Sequence, residues 1–280
     1  MKRILVPTDF SNNAYSALFY ATRLFKDEEC IFYILNTFDV QTPVFTSRLD
    51  TGKGDKLYKK LSNESQEKLD EVVHAITRET REFNHTFESL SVSKKILETI
   101  NKTIQNKDID LVVMGTKGAS GAKEVLVGSN TVKVIKKIKD CTVLAIPSEL
   151  EYQNPSEIAF ATDFKTAFTK EELRPITDIA TMCSSNIRIL HISEKEKLDD
   201  TQEHNLQGLK DNLGDLNYCI HWIPRMEQKT AHITEFIETA NIDILCMAHR
   251  KHGFIESVTR EPVIKKLGFH LSIPFLVIPE

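Results

Sequence analysis

Two segments of this chain are close copies of each other. Residues 4–10 read ILVPTDF and residues 158–164 read IAFATDF. Later segments repeat in the same order: the apolar run that ends at Met114 resembles the one that ends at Met247, and residues 142–147 resemble the segment ending at Pro279. A repeat of roughly 130 to 155 residues is too long for a solenoid and has the length of a domain.

The repeat therefore predicts two domains, residues 1–149 and 156–280, separated by a polar stretch from Leu150 to Ser156. A length of 280 residues also corresponds to about two domains. With 41% hydrophobic residues, each half has enough apolar material for a core.

Apolar runs and helix-like segments alternate along the first half. The pattern predicts strands at 2–6, 31–37, 87–93, 109–114 and 142–146, and helices at 12–25, 55–80, 94–106 and 130–139. Ser11 is the predicted N-cap of the first helix. Such alternation indicates an α/β fold with a parallel sheet, in which ligands bind at the carboxyl ends of strands where the strand order reverses.

Glycines are concentrated after the fourth predicted strand. Four of the ten glycines of the chain lie between residues 115 and 128, and residues 129–131 begin the next predicted helix. Glycine allows close backbone approach to a ligand, and the amides of a turn and of a helix start can bind an anion. The segment therefore predicts a phosphate site, although it contains neither G-x-x-x-x-G-K-[ST] nor G-x-G-x-x-G.

The spacing of Gly115, Gly118, Gly128 and Ser129 is G-2x-G-9x-G-[ST]. This spacing resembles that of the universal stress protein (UspA-like) family. The chain resembles a tandem two-domain member of the family, strongly over residues 1–147 and weakly beyond them. The resemblance implies two Rossmann-like (adenine nucleotide alpha hydrolase-like) domains, each a five-stranded parallel sheet of order 3-2-1-4-5 with helices on both faces. Strands one and four are then adjacent, which brings Asp9 to the glycine segment.

The resemblance also implies a site for ATP, with bound Mg²⁺ left open. Pro7 and Asp9 would flank adenine and ribose, although Asp9 could equally serve only as a turn cap. The backbone of Thr37 would meet adenine, and Asn36 and Thr37 stand where the family usually has histidine and valine. The other implied site residues belong to the first strand end and the phosphate segment: Thr8, Met114, Gly115, Gly118, Gly128, Ser129, Asn130 and Thr131.

The second half lacks the glycine pattern. Ala248 stands in place of Gly115 and Lys251 in place of Gly118, and residues 257–261 contain no glycine-serine pair. The sequence therefore predicts a single nucleotide site, in the first half. His249 and His252 form an H-x-x-H, but no third ligand accompanies them, and no metal site is predicted.

No general base beside a nucleophile and no Walker lysine is evident. The resemblance thus predicts a stress-response regulator that binds ATP, with slow or no hydrolysis. Two alternatives stay open: a slow ATP hydrolase or nucleotidyl transferase, and a scaffold or binder of an apolar ligand between the halves. The loop from Phe38 to Lys53 is a candidate lid.

Charge and composition bear on partners and compartment. A net charge of −4 argues against a broad nucleic-acid surface. No membrane-spanning stretch or signal peptide is evident, so a cytoplasmic protein is expected, and the five cysteines are predicted to be reduced core residues. The resemblance further implies that residues 142–146 and 273–278 pair antiparallel in an intramolecular pseudo-dimer, with a homodimer left open.

Overall fold

The computed structural model describes residues 1–39, 51–116, 128–148, 150–193, 197–224, 229–249 and 272–279. The first half contains β1 (Lys2–Pro7), α1 (Asn12–Leu24), β2 (Cys30–Thr37), α2 (Thr51–Glu79), β3 (His85–Val92), α3 (Ile96–Lys107), β4 (Leu111–Gly115), α4 (Ser129–Lys137) and β5 (Thr142–Ile146). The second half contains β6 (Glu157–Thr162), α5 (Lys170–Cys183), β7 (Asn186–Ser193), α6 (Asp200–Leu213), β8 (Tyr218–Pro224), α7 (Lys229–Thr239), β9 (Ile244–Ala248) and β10 (Phe275–Ile278).

The strands form one sheet of order β3-β2-β1-β4-β5-β10-β9-β6-β7-β8. Neighbouring strands within each half are parallel, so each half has the predicted 3-2-1-4-5 order. At the centre, β5 and β10 are antiparallel, with Leu276 opposite Leu144. The carboxyl ends of the parallel strands therefore lie at opposite edges of the sheet in the two halves.

The sheet is covered on both faces by helices. Ala17 of α1, Leu69 of α2, Leu173 of α5 and Leu209 of α6 belong to one buried cluster. α3, α4 and α7 contribute to the cluster on the opposite face, with Ile100, Val134 and Ile233. This two-sided burial explains the continuous apolar runs of the strands. None of the described helices is long and apolar enough to cross a membrane.

The turn after the first strand has the same geometry in both halves. Phe10 and Phe164 both adopt the left-handed region, with φ of 64° and 57°. The amide of Phe10 donates to Thr8 Oγ1 at 3.0 Å, and that of Phe164 donates to Thr162 Oγ1 at 3.2 Å. A bulky side chain rarely adopts this conformation, so its occurrence at both equivalent positions supports a structural duplication.

Two sequence expectations need correction. Helix α2 begins at Thr51, so the loop predicted to run to Lys53 ends earlier, and residues 40–50 of that candidate lid lie outside the described part of the chain. The cysteines are free, and four are buried in the core, but Cys219 is partly exposed. The core prediction is therefore wrong for Cys219, which lies on the edge strand β8.

Candidate functional site

A cavity of about 400 Å³, here called the first-half crevice, lies at the carboxyl ends of β1, β2 and β4. Strands β1 and β4 are neighbours at the point where the strand order reverses. The volume is within the range of small-molecule sites. The lining residues come from these strand ends, α1 and the starts of α3 and α4: Pro7, Thr8, Asp9, Ala14, Asn36, Thr37, Phe38, Asp39, Lys94, Lys95, Ile96, Met114, Gly115, Gly128, Ser129, Asn130 and Thr131.

The structure thus brings together, around one cavity, every residue proposed for the site except one. Gly118 lies outside the described residues. Asp9 and Gly115 are far apart in sequence, and the parallel pairing of β1 with β4 places both strand ends at the same edge.

The turn that carries Asp9 is organised by its own side chains. Ser11 caps α1, as predicted, because its hydroxyl accepts a hydrogen bond from the Ala14 amide at 3.3 Å. Asp9 Oδ1 accepts from the Ser11 amide at 3.1 Å and from the Ser11 hydroxyl at 2.5 Å. The carboxylate of Asp9 therefore stabilises the turn while it remains exposed on the crevice wall.

A buried polar chain fixes the wall behind Thr8. Asn36 Nδ2 donates to the Thr8 carbonyl oxygen at 2.8 Å, and Ser65 donates to Asn36 Oδ1 at 2.9 Å. At the equivalent position of the second half, His191 Nδ1 donates to the Thr162 carbonyl oxygen at 3.1 Å. Asn36 thus makes in the first half the contact that His191 makes in the second.

Helix α4 has no side-chain hydrogen bond from its N-cap residue. Its N-cap is Gly128, which has no side-chain oxygen for the amides of the first turn. Such amides can bind an anion. The Thr131 hydroxyl donates to the Gly115 carbonyl oxygen at 2.8 Å, and the Gly128 amide donates to the Thr116 carbonyl oxygen. These bonds hold the start of the helix against the end of β4.

Gly115 is required by packing as well as by its place in the crevice. A Cβ atom at this position would lie 2.7 Å from Asn13 Nδ2 and 2.8 Å from the Asn13 backbone oxygen. In the second half Ala248 takes this place at the end of β9. In the second half the helix after the first strand is α5, which begins at Lys170. It begins several residues farther from the end of its strand than α1 does in the first half.

Sequence motifs missed the contribution of the turn between β3 and α3. Lys94 and Lys95 line the crevice and are exposed. Lys94 Nζ lies 3.9 Å from Glu98 Oε1, a weak surface ion pair. The two lysines place positive charge at the crevice. The predicted strand order could have indicated the position of these lysines, because it brings the carboxyl end of β3 to the same edge of the sheet as the carboxyl ends of β1 and β2.

The edge of the second half that is equivalent to the first-half crevice carries aromatic side chains. The ring of His191 stacks on that of Phe164, with centroids 4.5 Å apart, and contacts Trp222 at 5.2 Å. Burial lowers the pKa of His191 below its ordinary value.

The segment aligned with Gly118 to Ser129 lies in residues 250–271, outside the described part of the chain. No group of three potential metal ligands occurs among the described residues, and His252 lies beyond them.

Fold and crevice together define a class: a doubly wound α/β protein with a small-molecule crevice at the switch point of a parallel sheet. The model of the Universal stress protein family matches residues 1–147. The chain belongs to this family.

Individual relatives agree with this assignment. The chain is 31% identical over 144 residues to Universal stress protein MJ0577 of Methanocaldococcus jannaschii, which covers 49% of this chain and 89% of the relative. It is 28% identical over 145 residues to Universal stress protein MJ0531 of the same organism, and the match covers 52% of this chain and 81% of that relative. A universal stress protein structure from Archaeoglobus fulgidus DSM 4304 shares the fold over both halves, with a TM-score of 0.65, 18% identity and 99% and 96% of the two chains covered.

Proposed function

We propose that the first-half crevice binds ATP and that the chain is a nucleotide-dependent regulator of a stress response, with slow or no hydrolysis. The observation that carries the proposal is the uncapped start of α4 at Gly128, which shares one cavity with the exposed carboxylate of Asp9. Anion-binding amides and a hydrogen-bond acceptor for hydroxyls are the groups that a nucleotide requires.

Each part of the crevice then contacts one part of the nucleotide. Asp9 accepts hydrogen bonds from the ribose hydroxyls, and the strand ends at Pro7 and Thr37 offer backbone groups to the adenine edge. The first-turn amides of α4 and the Ser129 hydroxyl hold the phosphates. Gly118 belongs to the same proposal as a loop contact, and Mg²⁺, if bound with the nucleotide, would supply positive charge beside the phosphates.

Slow turnover follows from the groups that line the crevice. Among the described lining residues there is no histidine or cysteine, and the carboxylates are those of Asp9 and Asp39. Asp9 already accepts two hydrogen bonds from Ser11, which makes it a poor general base. Nothing among these residues pairs a base with a positioned nucleophile.

We also propose that residues 1–149 and 156–280 are separate domains that form an intramolecular pseudo-dimer. The antiparallel contact between β5 and β10 supports this arrangement, since it joins the two five-stranded halves edge to edge. The edges of β5 and β10 are then covered within one chain.

A second candidate function is the binding of an apolar molecule between the halves. A further cavity of about 400 Å³ lies between them, and its walls include Ile4 and Phe25 from one half and Ile179 and Leu276 from the other. Titration with an apolar fluorescent dye, with and without saturating ATP, separates this function from the first: the dye would bind without competition from ATP.

The decisive experiment is calorimetric titration of ATP and Mg²⁺ into the wild type, Asp9→Ala and Asp163→Ala. Asp163 is the matched control, because it occupies the equivalent turn of the second half and accepts a similar hydrogen bond, from Lys165 at 3.0 Å. We expect one-to-one binding by the wild type, affinity weakened about tenfold or more in Asp9→Ala, and no change in Asp163→Ala. Equal affinity in all three proteins, or no binding by the wild type, would refute the proposal.

A further inference from the structure

Four side chains of the second half form a polar array away from the first-half crevice. They are Glu157 on β6, Arg188 on β7, and Cys219 and His221 on β8. Arg188 and Cys219 are register partners, and Cys219 and His221, two residues apart on one strand, point to the same face. The array therefore spans three neighbouring strands on one face of the sheet.

The sulfur of Cys219 lies between two nitrogen atoms. Arg188 Nη1 donates to Cys219 Sγ at 3.1 Å, and His221 Nε2 lies 3.1 Å from the same sulfur. The sulfur thus lies beside a permanently charged guanidinium, and reactive cysteines occur in such electropositive, partly exposed surroundings.

Glu157 fixes the guanidinium in this orientation. Arg188 Nε and Nη2 donate to the two carboxylate oxygens of Glu157 at 2.7 and 3.1 Å. This bidentate pair restrains the plane of the guanidinium and leaves Nη1 directed at the sulfur. The contact with Arg188 also lowers the pKa of Glu157, so the carboxylate stays ionised.

His221 is placed to accept the thiol proton, because its Nε2 lies 3.1 Å from the sulfur. Burial and the nearby Arg188 lower the pKa of His221, so its ring is neutral at pH 7 and has one nitrogen free to accept a proton. The ring is held edge-on by Phe236 of α7, with centroids 4.8 Å apart.

The other cysteines have none of these features. Cys30, Cys141, Cys183 and Cys246 are buried, and burial raises the pKa of each, to about 12 for Cys30 and Cys141. They are inert in the folded chain. The first half has no such array either, because Glu88 and Tyr33 form the register pair that corresponds to Cys219 and Arg188.

We propose that Cys219 is a reactive thiol and a site of oxidation by hydrogen peroxide. His221 takes the thiol proton, and the sulfur attacks one peroxide oxygen. The S–O bond forms as the O–O bond breaks, and the departing hydroxide takes the proton from His221 and leaves as water. Cys219 becomes a sulfenic acid, oxidised by two electrons, while the peroxide is reduced to water. Two equivalents of a small thiol restore it, the first through a mixed disulfide with loss of water.

The first test compares the folded and unfolded chain. The reduced full-length protein is treated with iodoacetamide at pH 7, with and without guanidinium chloride, and the labelling rate of each cysteine is measured by peptide mass spectrometry. An ordinary thiol that is partly shielded reacts more slowly when folded, whereas an activated one reacts faster. We expect Cys219 to react about fivefold or more faster in the folded chain and the four buried cysteines to be strongly protected. Slower labelling of Cys219 in the folded chain would overturn the proposal.

The second test removes the charge beside the sulfur. Arg188→Met keeps the apolar stem, and combination with Glu157→Gln avoids an unpaired carboxylate. Lys107→Met is the matched control, because Lys107 Nζ pairs with Glu88 at 3.3 Å in the first half. Circular dichroism checks folding, and dimedone in the presence of peroxide traps sulfenic acid.

The double variant is expected to lose the faster labelling of Cys219 in the folded chain and most of the trapped sulfenic acid. Lys107→Met is expected to retain both. If the folded double variant labels and traps as fast as the wild type, the proposal is wrong. The comparison of folded and unfolded wild type decides the question by itself if the double variant does not fold.

Discussion

Leu144 and Leu276 lie opposite each other at the centre of the sheet and occupy equivalent positions in the two halves. On either side of them, Phe275 pairs with Ala145 and Val277 pairs with Val143. This register gives the strand pair a local two-fold axis through the two leucines. The contact between the halves therefore has the self-complementary form of an isologous interface within a single chain.

Truncation of either central leucine should destabilise the whole chain. Both side chains are 0% exposed and belong to the same buried cluster, so Leu144→Ala and Leu276→Ala are each expected to lower the free energy of unfolding by about 2–5 kcal/mol. The double variant should show coupling between the two sites. Urea unfolding measures both effects, with Leu57→Ala as an exposed control. Losses below about 1 kcal/mol would contradict this account of the interface.

Two glycine substitutions should have effects of opposite sign. Gly115→Ala places a Cβ atom against the backbone of Asn13 and should cost about 1–3 kcal/mol of stability. Gly208→Ala lies within α6, with no atom near the added Cβ, and should stabilise by about 0.5–1 kcal/mol. Thermal and urea unfolding of the two variants test the prediction. A neutral Gly115→Ala would show that α1 can shift away from β4.

The lysines of the turn after β3 should contribute charge to nucleotide binding. Lys95→Ala is expected to weaken ATP binding about threefold to tenfold, and the loss should shrink at high salt because the crevice is open to solvent. Adenosine, which lacks phosphates, should bind both proteins equally. Lys102→Ala is the control, because Lys102 pairs with Glu98 on α3 at 2.9 Å and does not line the crevice. An equal loss for adenosine and ATP would mean that Lys95 acts through the shape of the crevice.

His191 should make stability depend on pH. Burial lowers its pKa in the folded chain, so as the pH falls below about 6.5 the unfolded chain binds a proton that the folded chain does not. The free energy of unfolding of the wild type should therefore fall relative to that of His191→Asn between pH 7.5 and 5.5. The variant carries the residue that the first half has at Asn36. The single tryptophan, Trp222, touches the ring and reports unfolding. Parallel pH profiles would contradict the prediction.

The strands were predictable because burial on both faces leaves a continuous apolar signal. The strand predicted at 142–146 has the bounds observed for β5, and that at 31–37 differs from β2 by one residue. The start of α2 was not predictable, because it runs through the segment TGKGDK, whose glycines and polar residues argue against a helix.

The candidate site was predictable only where a motif carried it. Asp9 and Gly115 follow strands whose order the family pattern implies, so their meeting could be foreseen. Lys94 and Lys95 resemble ordinary surface lysines, and only the order of β3, β2 and β1 brings them to the crevice. Cys219 lies in an apolar stretch that suggested a core position, whereas β8 is an edge strand.

The reversal of strand direction between β5 and β10 has a consequence for access to the two halves. The first-half crevice and the aromatic end of the second half around Trp222 lie at opposite edges of the sheet, because the strands of the two halves run in opposite directions. A ligand bound in the crevice would therefore leave the opposite edge, with the exposed ring of Trp222, open to solvent. The two ends are connected through the contacts between the halves, which include the central strand pair, where Leu144 lies opposite Leu276, and the ion pair of Lys2 with Asp178.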